Sequence, residues 1–115
     1  MAHKLVVAVR TDLGMSVGKT AAQVAHAAVS ATLGAAGSQR LPDWLEDGQP
    51  KVVVRVPSLE ALHELVARAE QARVSSSVIA DAGRTELEAG TETCCAFGPD
   101  SDERLTPITG DLALL

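Results

Sequence analysis

The sequence predicts a three-layer α/β fold, one mixed four-stranded sheet with helices on both faces. Three observations carry this expectation. Short apolar, β-branched runs alternate with helix-period stretches in the order strand–helix–strand–helix–strand. The first run, KLVVAVR at 4–10, is the kind of segment that sits buried in a parallel strand. The link into the fourth strand is short, which suits an antiparallel neighbour and makes the sheet mixed. At 115 residues the chain has the size of one domain, spanning 1–115.

In chain order, Lys4–Arg10 forms the first strand and the loop TDLGMSVG follows. A long helix is expected from about Gly18 to Leu33. Lys19, Gln23, His26 and Ser30 fall on one narrow polar stripe of it, opposite Ala21, Val24, Ala25 and Ala28, whose small side chains would let the helix lie close on the sheet. The Gly-, Ser- and Pro-containing stretch 34–49 holds a short helix around LPDWLED, anchored by Trp44. Lys51–Val56 is the second strand, ended by Pro57. Ser58 reads as a helix N-cap with Glu60 in the first turn, and Leu62, Leu65, Val66 and Ala69 form the core stripe of that helix. Val74–Ala80 is the third strand, with a turn at Asp81-Ala-Gly-Arg-Thr. Thr93–Phe97 is the fourth, after an acidic loop. From Ser101 onward one or two helical turns lead to an apolar end.

Composition excludes several classes. Hydrophobic residues at 46% argue against disorder. Aromatics at 2%, only Trp44 and Phe97, argue against a single-strand binder that stacks bases on rings. The longest uninterrupted apolar run, Leu5–Val9, is far too short to span a membrane, and the N-terminus does not read as a signal peptide, so a cytoplasmic location is expected. Cys94 and Cys95 are adjacent; in a strand they point to opposite faces, so a mutual disulfide or a metal cage is not expected, and buried thiols are. The net charge is −5, but residues 1–57 carry six Lys/Arg against four Asp/Glu and residues 58–115 four against eleven. The acidity belongs to the C-terminal half.

In open α/β sheets, sites form beyond the carboxyl ends of strands. The loops after the first and third strands gather Lys19, Asp81, Arg84, Thr85 and Thr93, a cation, a carboxylate and hydroxyls. Gly14-Met-Ser-Val-Gly18-Lys19-Thr20 looks like a phosphate loop, and Val78-Ile-Ala-Asp81 like an acid-ended strand that helps hold magnesium. A nucleotide loop needs four residues between its glycines, however, and here there are three. A lysine at a helix start still suits anions in general. The other candidates have two readings each: His26 as reacting group or packed histidine, Gln23 as substrate-amide contact or stripe filler, Arg84 as phosphate grip or partner of a loop acid. Asp81 could act chemically or cap its turn.

Taken as ordered blocks, KLVVAVRTDLGM, VGKTAAQVAHAA, GQPKVVVRVPSLEAL, DAGRTELEAGTET, FGP and ITGDLALL make the chain resemble the type 2 peptidyl-tRNA hydrolases. The pairing of DAGRT after a strand with GK-x-AAQ-x-x-HA on the first helix is close to diagnostic. The resemblance implies a mixed four-stranded sheet flanked by helices, frequent dimers, no cofactor, and hydrolysis of the ester joining a peptide to the terminal ribose of tRNA. It places the family's functional residues on Lys19, Gln23, Asp81, Thr85 and Thr93, with His26 and Arg84 nearby. Where the family often carries basic residues, this chain has Ser16, Val17, Asp111 and Ala113. The expected catalytic set is Lys19, Asp81, Thr85 and Thr93, with Gln23, His26, Arg84 and Arg10 binding substrate and no metal. A polyanion approaching a −5 protein needs a local positive patch, expected from Arg10, Lys19 and Arg84 with Lys51 and Arg55. A homodimer is expected. The competing readings are a non-catalytic protein-interaction module, suggested by the acidic half and the tail Leu112–Leu115, and an NTP binder.

Overall fold

A computed structural model describes residues 2–115. Its elements run β1 (His3–Arg10), α1 (Val17–Gly34), α2 (Arg40–Glu46), β2 (Lys51–Val56), α3 (Leu59–Ala72), β3 (Ser76–Ala80), β4 (Glu92–Ser101) and α4 (Asp102–Thr109). The sheet order is β2-β1-β4-β3. β1 pairs parallel with β2 and antiparallel with β4, and β3 pairs antiparallel with β4, so the sheet is mixed.

Alternation along β1 splits the core in two. Leu5, Val7 and Val9 join Cys94, Ala96, Ala27, Ala31 and Trp44 under α1 and α2. Val6 and Ala8 point the other way, to Cys95, Phe97, Leu62, Leu65, Leu105 and Ile108 under α3 and α4. Helices on both faces make three layers. The two cysteines are buried on opposite faces and unpaired, as strand geometry requires.

Local chemistry sets the helix ends. Ser58 accepts from the Ala61 N–H at 3.1 Å, capping α3, and Glu60 lies in its first turn. Trp44 is buried in α2 and its indole N–H donates to the Pro50 carbonyl at 2.9 Å, which anchors the short helix.

Three sequence expectations are corrected and one is extended. α1 is turned by about a quarter revolution from its predicted setting. Gln23, Ala27 and Ala31 face the sheet, Val24 and Ala28 are half-buried, and Ala21 and Ala25 are exposed. The inward glutamine is accommodated because it has buried polar partners, described below. β3 starts at Ser76 rather than Val74: Arg73 takes a left-handed turn (φ 57°) and the Val74 N–H closes α3 on the Ala69 carbonyl at 2.9 Å. β4 continues to Ser101 through Gly98 and Pro99. At Gly98 (φ +99°) a Cβ would lie 2.8 Å from the Asp100 nitrogen, so the strand passes only because that residue is glycine. Finally, the apolar tail is strand-like. The Arg55 N–H donates to the Ala113 carbonyl and the Leu115 N–H to the Val53 carbonyl, both at 3.0 Å, covering the edge of β2.

Candidate active site

β1 and β3 both run antiparallel to β4, so their carboxyl ends lie at the same end of the sheet, and α1 starts from that end. Ser16 caps α1, accepting from the Lys19 N–H at 3.1 Å. That cap places Lys19 in the first turn, aimed at the end of β3. Its ammonium donates to Asp81 Oδ1 and, at 2.8 Å, to Thr85 Oγ1. The ion pair is recessed, with side chains only 11% and 3% exposed.

Asp81 is held by donors from three directions. Besides Lys19, the Gln23 side-chain amide donates to Oδ1 at 3.3 Å and the Gly83 N–H to Oδ2 at 2.9 Å. The Lys19 ammonium, then the Gly83 N–H, hold this carboxyl below the usual carboxylate range. Gly83 is required by geometry. At φ +79° a Cβ would meet the Ala89 backbone nitrogen at 2.6 Å. The loop is closed at its base by the Asp81 N–H donating to Thr91 O and the Gly90 N–H to Asp81 O, both at 2.8 Å.

Behind Gln23 stands Thr93, fully buried, whose hydroxyl donates to Gln23 Oε1 at 2.5 Å. Strict alternation from Cys95 and Phe97 would turn Thr93 to the α3 face. A register shift between Ile79 and Ala80 pairs Ala80 with Glu92, leaving Thr93 as the extra residue of a bulge. The bulge turns Thr93 toward α1 beside Cys94, whose thiol also reaches the Gln23 carbonyl at 3.6 Å. Thr93 therefore meets Gln23 and is fully buried, where a contact with the attacking water was expected.

Of the residues singled out in the sequence, Lys19, Gln23, Asp81, Thr85 and Thr93 form one hydrogen-bonded chain. Arg84 is exposed on the same loop. His26 is exposed and outside the network. Arg10 is committed elsewhere: it donates twice to Asp12, at 3.1 and 2.7 Å, and once to the Glu92 carbonyl at 2.9 Å. Its side chain is only 12% exposed and pairs with Asp12. Of the other cations in the expected patch, Lys51 sits at the far end of β2, 5.1 Å above the Trp44 ring, and Arg55 is held by the Leu114 carbonyl.

Sequence reasoning missed Glu86. Its carboxylate accepts from the Ser16 N–H at 3.0 Å and the Ser16 hydroxyl at 2.5 Å, and those contacts hold it below its ordinary range. The two residues are seventy positions apart and no spacing in the chain marks the contact. With Ser16 bonded to Glu86 and Lys19 to Asp81, the phosphate-loop-like segment is not arranged as a nucleotide cradle. Among the described residues no group of three or more His, Cys, Asp or Glu side chains is gathered to hold a metal, and no helix is long and apolar enough to cross a membrane.

The chain matches the family model described as peptidyl-tRNA hydrolase PTH2 over residues 3–115. It is similar to the peptidyl-tRNA hydrolase of Sulfurisphaera tokodaii, 50% identical with 100% of both chains covered. It is also similar to that of Metallosphaera sedula, 52% identical over 97% of this chain and 99% of the relative. A third such protein, from Saccharolobus islandicus, is 45% identical over 97% and 98%.

Proposed function

The chain belongs to the PTH2 family of peptidyl-tRNA hydrolases, and from that premise we propose how its site cleaves the ester of peptidyl-tRNA. A count of donors and acceptors carries the reading. An ammonium has three N–H groups, and Lys19 spends two on Asp81 and Thr85. A carboxylate accepts about four hydrogen bonds, and Asp81 takes three, from Lys19, Gln23 and Gly83. One acceptor position on Oδ2 and one donor on Lys19 are left for solvent and substrate.

Asp81 Oδ2 orients a water molecule and accepts its proton as the water oxygen attacks the ester carbonyl. The third Lys19 N–H stabilises the oxyanion that forms. The proton then passes to the departing ribose oxygen, the acyl C–O bond breaks, and the products are tRNA and a peptide with a free carboxylate. Asp81 is a weak base, so positioning supplies much of the rate. Thr85 accepts from Lys19 and keeps its own hydroxyl proton for the substrate. Gln23, fixed by Thr93, keeps Asp81 oriented. Arg84 meets a phosphate of the acceptor end. His26, exposed outside this network, takes a substrate-side place without a proton-transfer role. Because base and oxyanion donor are both side chains, the reaction needs no cofactor.

The protein works in the cytoplasm, where its substrate arises, and as a homodimer. Exposed Leu33 (71%), Val29 (58%) and Leu45 (46%) on α1 and α2 support an apolar contact between copies.

The test is incubation with N-acetylated aminoacyl-tRNA beside the unblocked form. An unblocked α-amino group, with a pKa of about 7.7–8, brings a partial positive charge next to Lys19. The blocked ester is cleaved efficiently and the unblocked one is not. Equal cleavage, or none, overturns the reading.

A further inference from the structure

β3 is the last strand of the sheet and pairs with β4 alone. Its bonds to β4 fix which of its backbone groups point outward. The Gly98 N–H donates to the Ser75 carbonyl at 2.9 Å, and the Asp81 N–H to the Thr91 carbonyl at 2.8 Å. An antiparallel ladder alternates, so Ser75, Ser77, Ile79 and Asp81 turn their N–H and C=O toward β4. Ser76, Val78 and Ala80 turn theirs away from it. Among the described residues no segment bonds to these outward groups. The strand carries neither proline nor charge, the usual devices that close an edge. The 81–91 loop leans the other way: Glu86 meets Ser16 and Thr85 meets Lys19 at the start of α1, which leaves the edge open. The flank of α1 carrying Lys19, His26 and Ser30 lies away from β2, beside which Val24 packs near Val53, so it overlooks the same edge.

We infer that this edge binds the peptide part of the substrate as an added parallel strand, held through its main chain; the inference rests on the peptidyl-tRNA hydrolase reading above. The edge ends where the chemistry begins, because Ala80 is bonded directly to Asp81. An acyl chain leaving Asp81 moves sideways by about one strand spacing, about 4.8 Å, to lie beside β3. The ester is the peptide's C-terminal end, so with that end at Asp81 the chain runs in the same direction as β3. Ser76 to Ala80 spans about 13 Å at about 3.3 Å per residue, which pairs with about four residues of extended peptide. The peptides carried by tRNA share only their backbone, and main-chain bonding holds any of them without reading side chains.

The experiment compares N-acetyl-tetraglycyl-alanyl-tRNA with two forms N-methylated at alternate glycines, the first and third or the second and fourth. Backbone groups of an extended strand point to opposite sides in turn, so only one form loses the N–H donors that face β3. Each lost bond costs about fivefold in affinity. That form therefore shows a KM about twentyfold or more above the unmethylated ester with kcat unchanged, while the other stays within about threefold. Val78→Pro deletes an outward N–H in mid-strand and raises the KM of the tetraglycyl ester relative to N-acetyl-alanyl-tRNA by about fivefold. Ser76→Pro does the same at the first residue of β3, where proline is best tolerated, and serves if Val78→Pro does not fold. Equal KM values for the two methylated esters overturn the inference, as does a KM ratio that neither proline variant changes. A shift from dimer to monomer in sedimentation with that ratio unchanged overturns it too, and makes the edge a contact between copies. Failure of the parent protein to cleave N-acetyl-alanyl-tRNA would instead strike the hydrolase reading itself.

Discussion

Thr93→Val separates positioning from contact in the proposed site. Valine matches threonine in shape, so the bulge and the packing beside Cys94 persist and only the hydroxyl is lost. Gln23 is 7% exposed, and its Oε1 then loses the 2.5 Å bond from Thr93. An unsatisfied buried acceptor costs about 1–3 kcal/mol. With an unfolding entropy of about 2.1 cal/mol/K per residue, a loss of about 2 kcal/mol lowers Tm by roughly 8 °C in a chain of this size. The freed amide can rotate, and its 3.3 Å bond to Asp81 is lost part of the time. Turnover of N-acetyl-aminoacyl-tRNA therefore falls about tenfold in kcat while KM stays constant, because Thr93 is fully buried and never meets substrate. Thr93→Ser restores the hydroxyl and most of the rate. The reasoning fails if Thr93→Val keeps parental kcat, or if KM rises while kcat holds, which would place the hydroxyl against substrate.

Three further outcomes follow from charge and burial. The carboxyl of Asp81 is lowered from its ordinary 3.8 by Lys19 and Gly83, so its stabilisation is complete above that value and is lost as pH falls through the lower folded value. In a pH profile of kcat/KM the acid limb lies below pH 3.8; an acid limb well above that value would contradict Asp81 as the proton acceptor. Cys95, pushed up to about 12 by burial, and Cys94, raised by the same cause, resist iodoacetamide in the native protein and react on denaturation, as mass spectrometry would show. With Arg10 tied to Asp12 and Lys19 to Asp81, few charges meet phosphates. The log–log slope of substrate binding against potassium chloride is shallow, about −1.4 for two contacts at the single-strand coefficient of about 0.7; a slope steeper than about −3 would reveal an unrecognised basic surface.

The alternation of apolar runs made the sheet, its mixed character and the flanking helices legible, because buried strands and capped helices such as Ser58–Ala72 write strong local patterns. Lys19, Asp81 and Thr85 were legible as well, since strand-end loops bring such groups together. The setting of α1 was not. An alanine-rich helix has a weak amphipathic signal, and its inward face is marked by a glutamine whose partner, Thr93, is seventy positions away. Thr93 itself was hidden by its bulge, which breaks the period-two pattern that alone assigns strand faces. The length of β4 was masked by Gly98-Pro99, a pair that ordinarily ends a strand but here runs through it. Glu86 was missed because its contact with Ser16 depends on how the 81–91 loop folds over α1, which no spacing in the chain encodes.

Everything proposed for the reaction turns on the Lys19–Asp81 pair supplying the oxyanion donor and the water acceptor. Single-turnover cleavage of N-acetyl-aminoacyl-tRNA by Lys19→Ala and Asp81→Ala, each verified as folded by circular dichroism, tests that pair directly. Each variant loses on the order of 10²-fold or more in rate; near-parental cleavage by either one would contradict the assignment of that residue.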